Sequence, residues 1–140
     1  MDNNKQNSNQ ILFESSLQKF LKKEINLYDE SLDEKENALN YFRRSRIHWL
    51  YLLNLMQSYY TKKQITKSDL IHKIQVSHIT ILKYIKESIF LGFVEELKTE
   101  KDKRKVVLYP KKNLINDFED FFYDHTREMK KLFDERQETN

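Results

Sequence analysis

Four residues within one short stretch, Ser77, His78, Thr80 and Lys83, carry groups able to hydrogen-bond to phosphates and to the edges of bases. Ser77 is a candidate N-cap. A helix that starts there points unpaired N–H groups and the positive end of its dipole at whatever lies before it, which is how proteins hold an anion such as a phosphate. His78, Ile79, Thr80, Lys83 and Lys86 then fall away from the apolar repeat Ile81, Ile85 and Ile89, so they form the outward face of that helix. Side chains of these types reach base edges and phosphates when a helix lies in the major groove of DNA. Lys67, near the start of the preceding helix, is a further candidate contact. A second cluster, Asp102, Lys103 and Arg104, sits between Lys101 and Lys105 in a short polar segment. Taken alone, such a segment reads as a charged, soluble loop tip.

Other chemistries find little support. The four histidines, His48, His72, His78 and His125, are dispersed, and none pairs with a carboxylate or another histidine at a metal-ligand spacing. With a single glycine, Gly92, the chain has no glycine-rich phosphate loop, and no Ser-His-Asp or paired-carboxylate arrangement stands out from ordinary surface charge. We therefore expect neither enzyme activity nor a cofactor. The overall balance of 25 Lys and Arg against 22 Asp and Glu says little, but its distribution says more. Residues 43–112 hold 16 basic and 6 acidic side chains, a net of +10, whereas 1–42 carry −3 and 113–140 carry −4. A polyanionic partner for the middle of the chain follows from this segregation.

The elements that would carry these side chains can be read from local pattern. Thr66 followed by Asp69 forms a capping box for a short helix that ends near Ile74. Gln75 and Val76 make a tight connection to Ser77, and Gly92 stops the second helix, because glycine takes the left-handed conformation without a Cβ clash. After Gly92 the period becomes two: Phe93–Lys98 and Lys105–Tyr109 read as strands joined by the polar residues 99–104. Two helices with a tight turn, followed by a basic hairpin, define a winged helix-turn-helix.

This order resembles the MarR family of DNA-binding regulators. The family's reading helix runs Val-Ser-x-x-Thr-Val-x-Arg-x-Val to a Gly, and Val76, Ser77, Thr80, Ile81, Lys83, Ile85 and Gly92 stand at matching spacings. Its wing carries Asp-x-Arg, matched by Asp102 and Arg104, while Ser88 departs from the core Leu usual in the helix. The resemblance implies that Arg104 enters the minor groove and that Asp102 orients it through a charge-assisted hydrogen bond. It also implies a homodimeric regulator of transcription, a repressor more often than an activator. A small aromatic effector near the dimer helices is implied too, for which Phe118, Phe121, Phe122 and Tyr123 are the candidate lining, although at helical spacing such residues more commonly serve packing.

The flanks complete a fold that is mainly α with a small β-hairpin wing. Residues 1–9, rich in Asn, Ser and Gln, are expected to be a disordered tail, and 10–140 a single winged-helix domain. Within it, 10–60 supply N-terminal helices, 61–110 the winged helix-turn-helix and 111–136 a C-terminal dimerisation helix. Phe13, Leu17, Phe20, Leu21 and Ile25 give the first helix an apolar stripe, and Leu114, Phe118, Phe121, Met129 and Leu132 give the last one its own. Both stripes are too apolar to face water on so small a domain, so they are expected to pair between two copies of the chain. Asp33 and Glu36 mark the start of one helix that runs to about Tyr60. The N-terminus lacks an apolar signal core, no run reaches the ~18 apolar residues of a membrane span, and a cytoplasmic location is expected. The expected function is sequence-specific binding of double-stranded DNA on a pseudo-palindromic site. The alternatives are a winged-helix protein-interaction module and a replication-initiator type of DNA-binding protein.

Overall fold

The computed structural model describes residues 2–29, 37–101 and 104–139. Six helices and one hairpin follow in the order α1 (Asp2–Asp29), α2 (Ala38–Phe42), α3 (Arg46–Tyr60), α4 (Lys67–Lys73), α5 (His78–Phe90), β1 (Val94–Lys98), β2 (Val106–Pro110) and α6 (Lys112–Thr139). The described structure divides into two compact units, Met1–Glu30 with Glu119–Asn140, and Ser31–Phe118.

The unit Ser31–Phe118 is the winged helix-turn-helix. Its helices start and stop where side chains supply the missing backbone partners. Thr66 and Asp69 form the expected reciprocal cap: the Asp69 amide donates to Thr66 Oγ1 at 3.1 Å, and the Thr66 amide donates to Asp69 Oδ2 at 2.9 Å. That amide holds the Asp69 carboxyl below its ordinary pKa, against a smaller opposing effect of burial. The chain leaves α4 extended at Ile74, closes a tight turn through the Val76 amide on the Ile74 carbonyl at 2.8 Å, and begins α5 at Ser77. At the far end Gly92 sits at φ +84°. There the Gly92 amide donates to the Ile89 carbonyl and the Phe93 amide to the Ser88 carbonyl, both at 3.0 Å, which is the Schellman termination of a helix.

The hairpin is antiparallel, with Val94 opposite Pro110 and Leu97 opposite Val107. The Leu108 amide ties it to the helical part by donating to the Ile65 carbonyl just before α4, and the Lys111 amide closes the base of the hairpin on the Phe93 carbonyl, both at 2.8 Å. The core beneath is built from Phe42, Tyr51, Leu55, Leu70, Ile81 and Ile85, each at most 1% exposed. Ser88 lies in that core. Its hydroxyl donates to the Ile85 carbonyl at 2.7 Å and lies 2.8 Å from the Tyr51 hydroxyl, so the serine satisfies the polar end of a tyrosine on α3.

The helix bounds differ from those expected at two places. The helix expected to run unbroken to Tyr60 is two helices: α2 closes at Arg43, and Ser45 turns extended at φ −152° before its Oγ accepts the His48 amide at 3.2 Å and caps α3. The basic interruption at Arg43, Arg44 and Arg46 is the break itself, and Asn37, whose Oδ1 accepts the Leu39 amide at 2.8 Å, caps α2. Asp33 and Glu36 lie outside the described residues. In the stretch expected to be a tail, α1 begins at Asp2. No Gly or Pro interrupts 2–29, and extending an established helix fixes one residue per added hydrogen bond, so a polar end can follow an anchored stripe. The Ser8 hydroxyl donates to the Asn4 carbonyl at 2.9 Å within this stretch.

In the other unit, side chains of α1 meet those of the later part of α6. The Ser16 hydroxyl donates to Glu135 Oε1 at 3.1 Å, Glu24 and His125 approach to 3.4 Å, and the Arg136 guanidinium lies 5.5 Å from the centre of the Phe13 ring. Leu132 is buried, but Ile11, Leu12, Leu21, Ile25, Met129 and Phe133 are about half exposed or more. No described helix is long and apolar enough to cross a membrane.

Candidate nucleic-acid interface

The outward face of α5 is fixed by what its inward face buries. Ile81 and Ile85 are 0% and 1% exposed and Ser88 is buried with them, so Ile79, Leu82, Lys83, Lys86 and Phe90 form the opposite row. Ile79 is 81% exposed, Leu82 42% and Phe90 88%, and the lysines between them are exposed as well.

At the start of this row the Ser77 Oγ accepts the Thr80 amide at 3.2 Å and lies 2.7 Å from the Thr80 hydroxyl. The cap therefore engages the half-buried Thr80 side chain as well as its amide. Ser77 and His78 are exposed beside the positive end of α5. Lys83 reaches Glu87 at 4.0 Å, and with its side chain 69% exposed this pair constrains it weakly. Lys67 behaves differently: its ammonium lies 2.6 Å from Glu96 on β1, which bridges α4 to the hairpin. Arg104 is exposed at the hairpin, whereas Asp102 and Lys103 lie outside the described residues. The structure thus brings Ser77, His78, Thr80 and Lys83 together on one helix and gives Lys67 a partner on the wing.

Support for α5 comes from a contact that sequence spacing does not reveal. His48 on α3 is 5% exposed and stacks on Tyr84 of α5, ring centres 3.7 Å apart and planes inclined by 22°. Its Nδ1 lies 2.6 Å from Ser45 Oγ, while its buried Nε2 has no hydrogen-bond partner among the described residues. Burial lowers the His48 pKa to about 4; Arg44 and Lys83 push the same way, and Glu87 opposes them. Beside it, the Tyr41 hydroxyl donates to the Tyr84 carbonyl or to Glu87 Oε2, each at 3.0 Å, and burial first and Glu87 second raise its pKa. Arg44 covers the Tyr41 ring at 5.3 Å and, with Lys86, Glu87 and Phe90, lines a cleft of about 450 Å³ at the C-terminal end of α5.

Phe90 is the exposed residue of this face that the sequence reading passed over. The signal was present: it stands eleven residues after Ile79 and so continues the outward row. His48 and Tyr84 had no such signal, because a stack between α3 and α5 depends on how two helices pack.

Fold and face together define a winged helix-turn-helix with an outward row of mixed basic and apolar character. No protein-family profile matches the chain, and no curated protein matches it. Among solved structures it is similar to the crystal structure of the adhesin competence repressor (AdcR) from Streptococcus pyogenes. The identity is 19%, over 79% of this chain and 76% of that one, with a TM-score of 0.44. At that level the likeness assigns neither a partner nor an activity to this chain.

Proposed function

We propose that this chain binds double-stranded DNA through α5 and the hairpin and regulates transcription as a homodimer on a pseudo-palindromic site, in the manner of the MarR-like regulators its sequence resembles, as a repressor. The observation that carries the reading is the outward row of α5, exposed beside a capped helix N-terminus, in the segment that holds 16 basic against 6 acidic residues. Ser77 and the first amides of α5 hold a phosphate, His78 and Lys83 address base edges, and Arg104 reaches along the hairpin toward the minor groove. Lys67 exchanges Glu96 for a phosphate when DNA arrives, so its contribution is smaller than that of an unpaired lysine. Dimerisation is supported by apolar side chains left exposed on α1 and α6, such as Ile11 at 67%, Ile25 at 60% and Phe133 at 61%.

A second reading, a protein-interaction module, is favoured by Ile79, Leu82 and Phe90, which put hydrocarbon on the same helix face. The two part on one experiment. Selection from a pool of random duplexes with the full chain at low salt should enrich an inverted repeat. A pool that leaves the selection with the composition it had on entry would refute the DNA reading.

A further inference from the structure

The row on α5 alternates charge with bare hydrocarbon, and the hydrocarbon asks for a partner. Ile79 is 81% exposed in the first turn and Leu82 is 42% exposed one turn later. Neither serves the core, which Ile81 and Ile85 already fill at 0% and 1% exposure. Lys83 and Lys86 separate this pair from Phe90, so the local apolar patch is two side chains wide, far below the roughly 800 Å² per partner of a stable protein interface. The surroundings favour a polyanion instead: His78 precedes Ile79, Lys83 follows Leu82, and the segment 43–112 carries a net of +10.

Among the groups that base pairs present in the major groove, the 5-methyl of thymine is the apolar one. Resting on the DNA reading above, we propose that Ile79 and Leu82 recognise thymine methyl groups, and so make this protein selective for sites with thymines at set positions in each half-site. The geometry gives their spacing. Three residues of α-helix advance about 4.5 Å and base pairs are about 3.4 Å apart, so the two side chains address thymines one or two steps from each other. Ile79 lies closest to the end of α5 that Ser77 caps. When that end is held at a phosphate, the first turn is the part of the helix set deepest against base edges.

The test removes the methyl and nothing else. Duplexes enriched by the full chain from a random pool are resynthesised with deoxyuridine in place of each thymidine in turn, which leaves every hydrogen-bonding group of the base unchanged. Binding by the unaltered protein should weaken about fourfold per methyl at one or two positions of each half-site, the value of one buried carbon group, and about sixteenfold when the same position is changed in both half-sites. Ile79→Ala should bind thymine and uracil duplexes equally at one of these positions, and Leu82→Ala at the other. Helix content by circular dichroism, unchanged in Ile79→Ala, shows that the comparison is made on folded protein. Uracil tolerated everywhere, or a loss that persists in both variants, overturns the inference while leaving DNA binding intact. A pool without any enriched duplex overturns both.

Discussion

Replacing His48 by Phe should make the stability of this protein less sensitive to acid. His48 is 5% exposed, stacks on Tyr84 and leaves Nε2 unpaired among the described residues, so the folded state holds it neutral with a pKa lowered to about 4 from 6.5. The unfolded chain therefore binds a proton between pH 6.5 and 4 that the folded chain refuses. Above pH 6.5 the residue costs nothing by this route. As the pH falls through that window, stability is lost at up to about 1.4 kcal/mol per unit, about 2 kcal/mol by pH 5 and about 3 kcal/mol below pH 4. Phe keeps an aromatic ring against Tyr84 and gives up the 2.6 Å approach to Ser45, a cost that is the same at both pH values. Urea unfolding of both proteins at pH 7 and pH 5 isolates the effect, since carboxylates elsewhere titrate alike in the two. The advantage of the native protein over His48→Phe should shrink by about 2 kcal/mol between pH 7 and pH 5. An advantage that stays constant would mean that His48 titrates as a solvated imidazole, and that α5 is not backed by a buried ring.

Three further outcomes follow from single interactions. Gly92→Ala should destabilise by about 1–2 kcal/mol in thermal unfolding, all of it from the backbone at φ +84°, because among the described residues no atom beyond its chain neighbours lies within 4 Å of the added Cβ. Unchanged stability would mean that α5 ends otherwise than by the left-handed residue. Ser88→Ala should cost about 1–3 kcal/mol by leaving the buried Tyr51 hydroxyl without its partner at 2.8 Å, and Tyr51→Phe in the same chain should recover part of it; a strictly additive double variant would deny the pair. Arg104→Ala should make the fall of log K with log salt shallower by about 0.9 for each phosphate that its side chain no longer neutralises, without changing the preferred core sequence, and an unchanged slope would remove Arg104 from the interface.

The residues that punctuate the chain were the legible ones. Thr66 with Asp69, Ser77 and Gly92 act within a few positions of themselves, so their roles as caps and stop can be read before any packing is known. The hairpin followed from alternation in the same way, and its strands shift by only one residue from the expected 93–98 and 105–109. Arg43–Arg46 shows where local reading fails: three arginines spread around one helix look tolerable, yet Ser45 offers a competing cap and the chain breaks there. Thr80 shows a related limit, since its hydroxyl suits a base as well as Ser77, and its approach to the Ser77 hydroxyl comes from the geometry of the first turn. The stack of His48 on Tyr84, which are 36 positions apart in the sequence, belongs to packing alone.

The central claim, that the outward face of α5 is the surface that meets DNA, is tested most directly by adding a selected duplex to isotopically labelled full chain and following the backbone amides by NMR. The largest changes should fall on Ser77–Lys86, with a second set around Arg104, and should collapse as salt is raised. Changes confined to α1 and the later part of α6, with the amides of α5 unmoved, would contradict it.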